Sequence, residues 1–171
     1  MQAWLGLGSN LQQPARQLET ALAKVAETDG IEILQRSSFY RTAPWGDEDQ
    51  GDFINAVIRI ETDLQPETLL TVLQSIENNM GRKRTTRQWG PRLIDIDILL
   101  YGNLELRTSR LELPHPHMHK RVFVLRPLFE LDSELEVPGH GKVSMLLRQL
   151  GGEGIRRLDD AGAEVVDEHF N

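Results

Sequence analysis

The chain has 171 residues, a length suited to one domain with a real buried core. Its 39% hydrophobic and 26% charged residues are ordinary for a soluble globular protein, and no apolar run approaches the roughly 20 residues of a membrane helix. The absence of cysteine excludes disulfide frameworks, thiolate zinc sites and cysteine nucleophiles, and a formal net charge of −7 means that any basic patch is local.

Residues 3–7 read as a short buried strand that Gly8-Ser9-Asn10 ends as a turn. Pro14 suits the first turn of a helix, with Leu18, Ala21, Leu22 and Val25 at helical spacing. Residues 31–41 read as one strand, and the Pro, Gly and acids of 43–51 as a loop. From Phe53 the period becomes two: Ile54, Ala56, Ile58 and Ile60 point one way, and Phe53, Asn55, Val57 and Arg59 the other. Pro66 opens a second helix with Leu69, Leu70, Leu73, Ile76 and Met80 on its apolar face and Gly81 as its stop. A polar loop covers 82–92, and a strand with Ile94, Ile96 and Ile98 alternating with Asp95 and Asp97 runs to about Leu100.

That order, βαββαβ, predicts an α+β fold with a ferredoxin-like core, an antiparallel sheet carrying two helices on one face. Further helices around 121–131 and 143–150 are placed on the other face, giving an α/β/α sandwich. Residues 1–150 form a single domain in this reading. Residues 151–171, rich in glycine and acid, read as a weakly ordered C-terminal extension. The N-terminus lacks a basic n-region and cleavage site, so a cytoplasmic location is expected.

Asp95 and Asp97 are the first chemical signal. Aspartate is depleted in strands, and residues two apart share a face with Cα atoms ~7 Å apart. Carboxylates so placed repel unless a cation or an arginine stands between them. Hard oxygen ligands favour Mg²⁺ or Mn²⁺, bound by one or two carboxylates and substrate phosphates. The second signal is the acid-free loop 82–92, with Arg82, Lys83, Arg84, Arg87 and Arg92, which runs straight into the Asp95/Asp97 strand. A metal-bridged polyphosphate needs both carboxylates and arginines. Gly90 and Pro91 would give a mobile loop a defined hinge.

Other features are weaker. Trp45 and Trp89 stand in predicted loops, where they would cap a flat aromatic ligand or else pack in the core. His115, His117 and His119 would share one face of an extended segment, as transition-metal ligands do. Without cysteine or a nearby carboxylate, one histidine on a phosphate is more economical. Gly6-Leu7-Gly8 lacks the third glycine of a dinucleotide fingerprint and reads as a structural turn.

Assembled, these residues resemble the 6-hydroxymethyl-7,8-dihydropterin pyrophosphokinase family. The matching segments are Gly8-Ser9-Asn10-Leu11, Ser38-Phe39-Tyr40-Arg41-Thr42, Phe53-Ile54-Asn55-Ala56, Trp89-Gly90-Pro91-Arg92 with Asp95-Ile96-Asp97, and Pro114-His115-Pro116 through Arg121-Val122-Phe123. The resemblance implies transfer of pyrophosphate from ATP to the pterin hydroxymethyl group, with release of AMP, in folate biosynthesis. It implies two Mg²⁺ ions on Asp95 and Asp97, with Arg82, Arg92 and Asp97 as catalytic residues. ATP contacts are implied at Gln74, Glu77, Arg84, Trp89, Ile98, Arg110, His115 and Arg121. Pterin contacts are implied at Thr42, Ala43, Pro44, Trp45, Phe53, Asn55 and Phe123. Partners are then small molecules alone, with no nucleic acid or membrane, and the chain a monomer. Phe53 where some relatives carry Tyr, Gln88 at a usually charged position, and the tail after 150 depart from the pattern.

Two other readings stand beside it. Nucleotidyl transfer also pairs Asp-x-Asp with magnesium, but commonly shortly after a Gly-Ser, whereas Ser9 lies far upstream of Asp95. An RNA-recognition module shares the βαββαβ order but places aromatics on its central strands, where this chain has Asp95 and Asp97.

Overall fold

The computed structural model describes residues 1–43, 51–81, 93–159 and 162–165. In chain order it has β1 (Gln2–Ser9), α1 (Pro14–Ala26), β2 (Ile31–Arg36), β3 (Tyr40–Thr42), β4 (Phe53–Thr62), α2 (Pro66–Asn79) and β5 (Asp95–Tyr101). Two small hairpins follow, β6 (Leu106–Arg107) with β7 (Glu112–Leu113) and, after α3 (Val122–Leu131), β8 (Glu136–Val137) with β9 (Gly141–Lys142). The chain then forms α4 (Val143–Leu150), β10 (Ile155–Leu158) and β11 (Glu164–Val165).

The main sheet runs β11-β10-β3-β4-β1-β5, with β2 also paired to β4, and every pairing is antiparallel. With β2 and β3 taken as one interrupted strand, the core is the ferredoxin-like βαββαβ arrangement that the sequence order predicts. The interruption has a local cause. The Ser37 N–H donates to the Val57 carbonyl at 2.9 Å, and the Ser37 hydroxyl accepts the Val57 N–H at 2.9 Å. A side-chain oxygen thus stands in for a backbone carbonyl where the strand turns.

Two cores lie on the two faces. Leu18, Ala21, Leu22 and Val25 of α1 and Leu69, Leu73 and Ile76 of α2 pack on Leu5, Leu7, Ile54, Ala56, Ile58 and Ile60. On the opposite face Val124, Leu125 and Leu128 of α3 and Val143 and Leu146 of α4 pack on Trp4, Val57 and Leu99. The period-two split of β4 is visible here, with its isoleucines on one side and Val57 on the other. Gly81 closes α2 at φ 92°, a left-handed conformation that glycine adopts without a Cβ clash.

Two segments differ from expectation. Gly8 and Ser9 continue β1 instead of ending it, paired with Asn55 and Ile54 of β4. Residues 155–158, which composition assigns to a tail, form β10 against β3, with Ile155 opposite Thr42 and Arg157 opposite Tyr40. Ile155 and Leu158 are buried, so two apolar anchors outweigh the surrounding glycine and acid.

Candidate active site

Antiparallel pairing lines up one row of residues across three strands. Asn55 of β4 stands opposite Gly8 of β1, and Gly8 stands opposite Asp95 of β5. The neighbouring row is Val57, Gly6 and Asp97. Alternation puts these side chains on the α3/α4 face, the face of Trp4, Val57 and Leu99. Neither Gly6 nor Gly8 has a positive φ, so the backbone does not require glycine at either place. What the glycines supply is room for neighbouring side chains, Leu99 at Gly6 and the Asn55 carboxamide at Gly8. Two inter-strand steps, about 10 Å of backbone, separate Asn55 from Asp95, so the groove over β1 has a carboxamide on one wall and two carboxylates on the other. Reading Gly6-Leu7-Gly8 as a turn missed this floor; its signal was the two-residue spacing of the glycines.

The acidic wall is half-buried, with the Asp97 side chain 47% exposed. His115 approaches it, Nε2 lying 3.8 Å from Asp97 Oδ2. The His115 N–H donates to the Leu99 carbonyl at 2.9 Å, which docks the loop on the outer edge of β5. His115 Nδ1 accepts the His117 N–H at 3.1 Å, so the neutral ring carries its proton on Nε2, toward the groove. Burial, then Arg121, then His117, push the imidazole down from 6.5 to about 4. At neutral pH the His115–Asp97 contact therefore joins a neutral ring to a carboxylate; it is not an ion pair. The Arg121 guanidinium lies 5.7 Å from the Phe123 ring centre, putting a cation and an aromatic face together at the start of α3.

On the opposite wall, Asn55 is buried and its Nδ2 donates to the Thr42 hydroxyl at 3.2 Å. Phe53 pairs with Thr42 across β3–β4 and is half-buried, and Ala43 is exposed. Tyr40, opposite Asn55, donates its hydroxyl to Glu130 of α3 at 2.6 Å, and the same carboxylate accepts the Ser38 N–H and hydroxyl. Neither Tyr40 nor Glu130 was a predicted site residue, since the contact joins residues ninety apart in sequence.

Other expected residues lie elsewhere. Glu77 is buried on α2 and accepts the Ile96 N–H at 2.7 Å, gripping β5 between its two aspartates. Gln74 is half-buried one turn before it. The Ile98 side chain is buried in the α1/α2 core. Arg110 is tied to α2, donating to the Thr71 hydroxyl at 3.0 Å, with Glu67 at 3.8 Å. The three histidines do not share a face: His115 and His117 meet edge-on, while His119 stacks on His140 with ring centres 3.9 Å apart. The turn of 3-10 helix at Met118–Lys120 breaks the extended geometry that a shared face needs. Pro44, Trp45, Arg82, Arg84, Trp89 and Arg92 lie outside the described residues.

Among the described residues no three His, Asp or Glu side chains converge as a metal cage. Asp95 and Asp97 form a two-carboxylate platform, the donor set magnesium uses when substrate phosphates complete its shell.

The profile of the 7,8-dihydro-6-hydroxymethylpterin-pyrophosphokinase (HPPK) family matches residues 4–133. The chain is 44% identical over 157 residues to the 2-amino-4-hydroxy-6-hydroxymethyldihydropteridine pyrophosphokinase of Haemophilus influenzae, covering 92% of this chain and 98% of that one. It is 46% identical to the enzyme of the same name from Methylorubrum extorquens, with the same coverage. Among solved structures it resembles a Plasmodium falciparum HPPK-DHPS with pteroate, at a TM-score of 0.76 and 15% identity. That likeness is one of fold, covering 96% of this chain and about half, 47%, of the longer protein. The matched stretch and the relatives that align almost end to end agree with the groove and its two unlike walls: the chain belongs to the 7,8-dihydro-6-hydroxymethylpterin-pyrophosphokinase family.

Proposed function

We propose that Asp95 and Asp97 hold magnesium against the triphosphate of ATP, while Asn55, Thr42, Phe53 and Phe123 seat 6-hydroxymethyl-7,8-dihydropterin with its hydroxymethyl arm over Gly8. Family membership makes the chain an ATP-dependent pyrophosphokinase of folate synthesis. The observation that carries the finer assignment is the in-register row Asn55–Gly8–Asp95. Its span of about 10 Å suits a flat bicyclic ring on the carboxamide wall with its one-carbon arm directed at the acidic wall.

Each wall fits its part. A carboxamide offers a donor and an acceptor to the amide edge of a pterin, and the Thr42 hydroxyl fixes which way Asn55 faces. Phe123 gives the ring an apolar surface. Asp95 and Asp97 would hold the magnesium, which would supply charge neutralisation for the polyphosphate and acidify the attacking hydroxyl. His115 presents Nε2–H beside Asp97 and donates to a phosphate oxygen there, and Arg121 adds a fixed positive charge. Arg82 and Arg92 are proposed to meet charge developing at the β-phosphorus, since the basic loop leads directly into β5.

The test is an assay of ATP with 6-hydroxymethyl-7,8-dihydropterin and Mg²⁺. AMP release is expected; pyrophosphate release with AMP on the acceptor would overturn pyrophosphoryl transfer. Asp95→Ala and Asp97→Ala should each lower turnover by roughly 100-fold or more, with a smaller change in pterin affinity. Near-normal turnover in either variant would remove the metal assignment. Part of the face that would stack bases in an RNA-recognition module, around Trp4, Val57 and Leu99, is covered here by α3 and α4.

A further inference from the structure

We infer that Gly8 is a specificity-determining residue for the pterin, because its missing Cβ leaves the Asn55 carboxamide the one orientation that reads the ring. Gly8 lies inside β1 with regular strand pairing on both sides and no positive φ, so neither conformation nor turn formation calls for glycine. Space does. A Cβ at position 8 would stand 2.8 Å from Asn55 Oδ1, closer than such atoms approach, and 3.9 Å from its Cγ. Gly6 differs: the atoms nearest a Cβ there belong to the Leu99 side chain, at 3.3 Å and beyond.

The Asn55 carboxamide is thus held at both ends. Nδ2 donates to Thr42 on the β3 side, and Oδ1 occupies the volume that Gly8 leaves on the β1 side. A methyl group at position 8 pushes Oδ1 away, rotates the amide and breaks the Thr42 contact. Only the end of a side chain has to move, so the fold tolerates the change while recognition does not. Asp95, across β1 from Gly8, lies on the other side of this clash, which leaves the nucleotide wall undisturbed.

The inference rests on the assignment of Asn55 to the pterin, and a double-mutant cycle separates the two. Gly8→Ala, Asn55→Ala and the double variant are compared for pterin affinity by fluorescence titration and for affinity toward a non-hydrolysable ATP analogue with Mg²⁺. Gly8→Ala should weaken pterin about tenfold or more, as expected when a buried amide is left mispaired, and change the ATP analogue less than about twofold. In the Asn55→Ala background only the methyl's own contact with the pterin arm over Gly8 remains, so the same substitution should cost at least about threefold less than in the wild type. An equal loss in both backgrounds, or no loss in either, overturns the inference. Unchanged pterin affinity in Asn55→Ala alone instead overturns the site assignment. If Gly8→Ala fails to fold by circular dichroism, Asn55→Ala should restore folding; a double variant that stays unfolded also overturns the role of Gly8.

Discussion

His115 does two jobs with its two nitrogens, and both come from the loop that carries it. Nδ1 accepts a backbone N–H two residues on, and the free Nε2–H is left facing Asp97. Burial and the neighbouring Arg121 hold the ring neutral, down to about 4. The value in the folded chain lies below the usual 6.5, so protons bind the unfolded chain more readily. Stability is therefore complete above about pH 6.5 and falls as the pH drops through about 4, by roughly 3 kcal/mol for this group. Chemical denaturation of wild type and His115→Gln across that range should show the variant losing less stability on acidification. Parallel pH profiles would mean that His115 has no depressed pKa. The sequence showed the residue and its likeness to a phosphate-binding histidine. It did not show the tautomer, because a 3-10 turn three residues later sets the local geometry.

At the scale of elements, helices were the most legible. Apolar residues three and four apart located α1 and α2, whose buried side chains fall on the expected stripes, and helices were also expected around 121–131 and 143–150, where α3 and α4 form. Strands carrying function were read less well. Asp95 and Asp97 stood out because carboxylates are unusual in strands, but Gly6 and Gly8 looked like a turn, since glycine signals turns and bare strands alike. Glu77 shows another limit. It lies on the inner side of α2 and grips the Ile96 N–H, so it acts on the strand of the two aspartates from beneath the sheet. Glu77→Ala leaves that buried donor without its carboxylate, at a cost of about 1–3 kcal/mol. Turnover should fall with it, as the aspartates on either side of Ile96 lose their anchor. Glu77→Gln keeps an acceptor oxygen and should recover most of the stability. Amide hydrogen exchange at Ile96 separates an anchor from a distant structural effect: it should speed up in Glu77→Ala and not in Glu77→Gln. Unchanged exchange in both variants would place Glu77 outside the support of β5.

The whole molecule is a sheet whose strand order sets the order of the site. Reading across β3, β4, β1 and β5 gives Thr42 beside Phe53, then Asn55, Gly8 and Asp95, so chemistry collected from residues 42 to 97 becomes adjacent through antiparallel register. The family match ends at residue 133, yet the sheet continues past it into β10, which covers the outer edge of β3. β10 therefore braces the strand that holds Thr42 and, through Tyr40 and Glu130, the strand that docks α3. The composition of the segment concealed this, because glycine and acid flank its two buried anchors, Ile155 and Leu158. Removing residues 152–171 strips both anchors and leaves β3 as an edge. By area burial the loss is about 3 kcal/mol or more, a fall in Tm of roughly 10 °C for a chain of this size. The kinetic signature should be one-sided. β3 and Thr42 border the carboxamide wall, three strands from Asp95, so the truncated chain should show a raised KM for pterin and a KM for ATP close to that of the full chain. If both constants rise together, β10 supports the fold as a whole; if only the pterin constant moves, the strand is part of how the pterin wall is held in place.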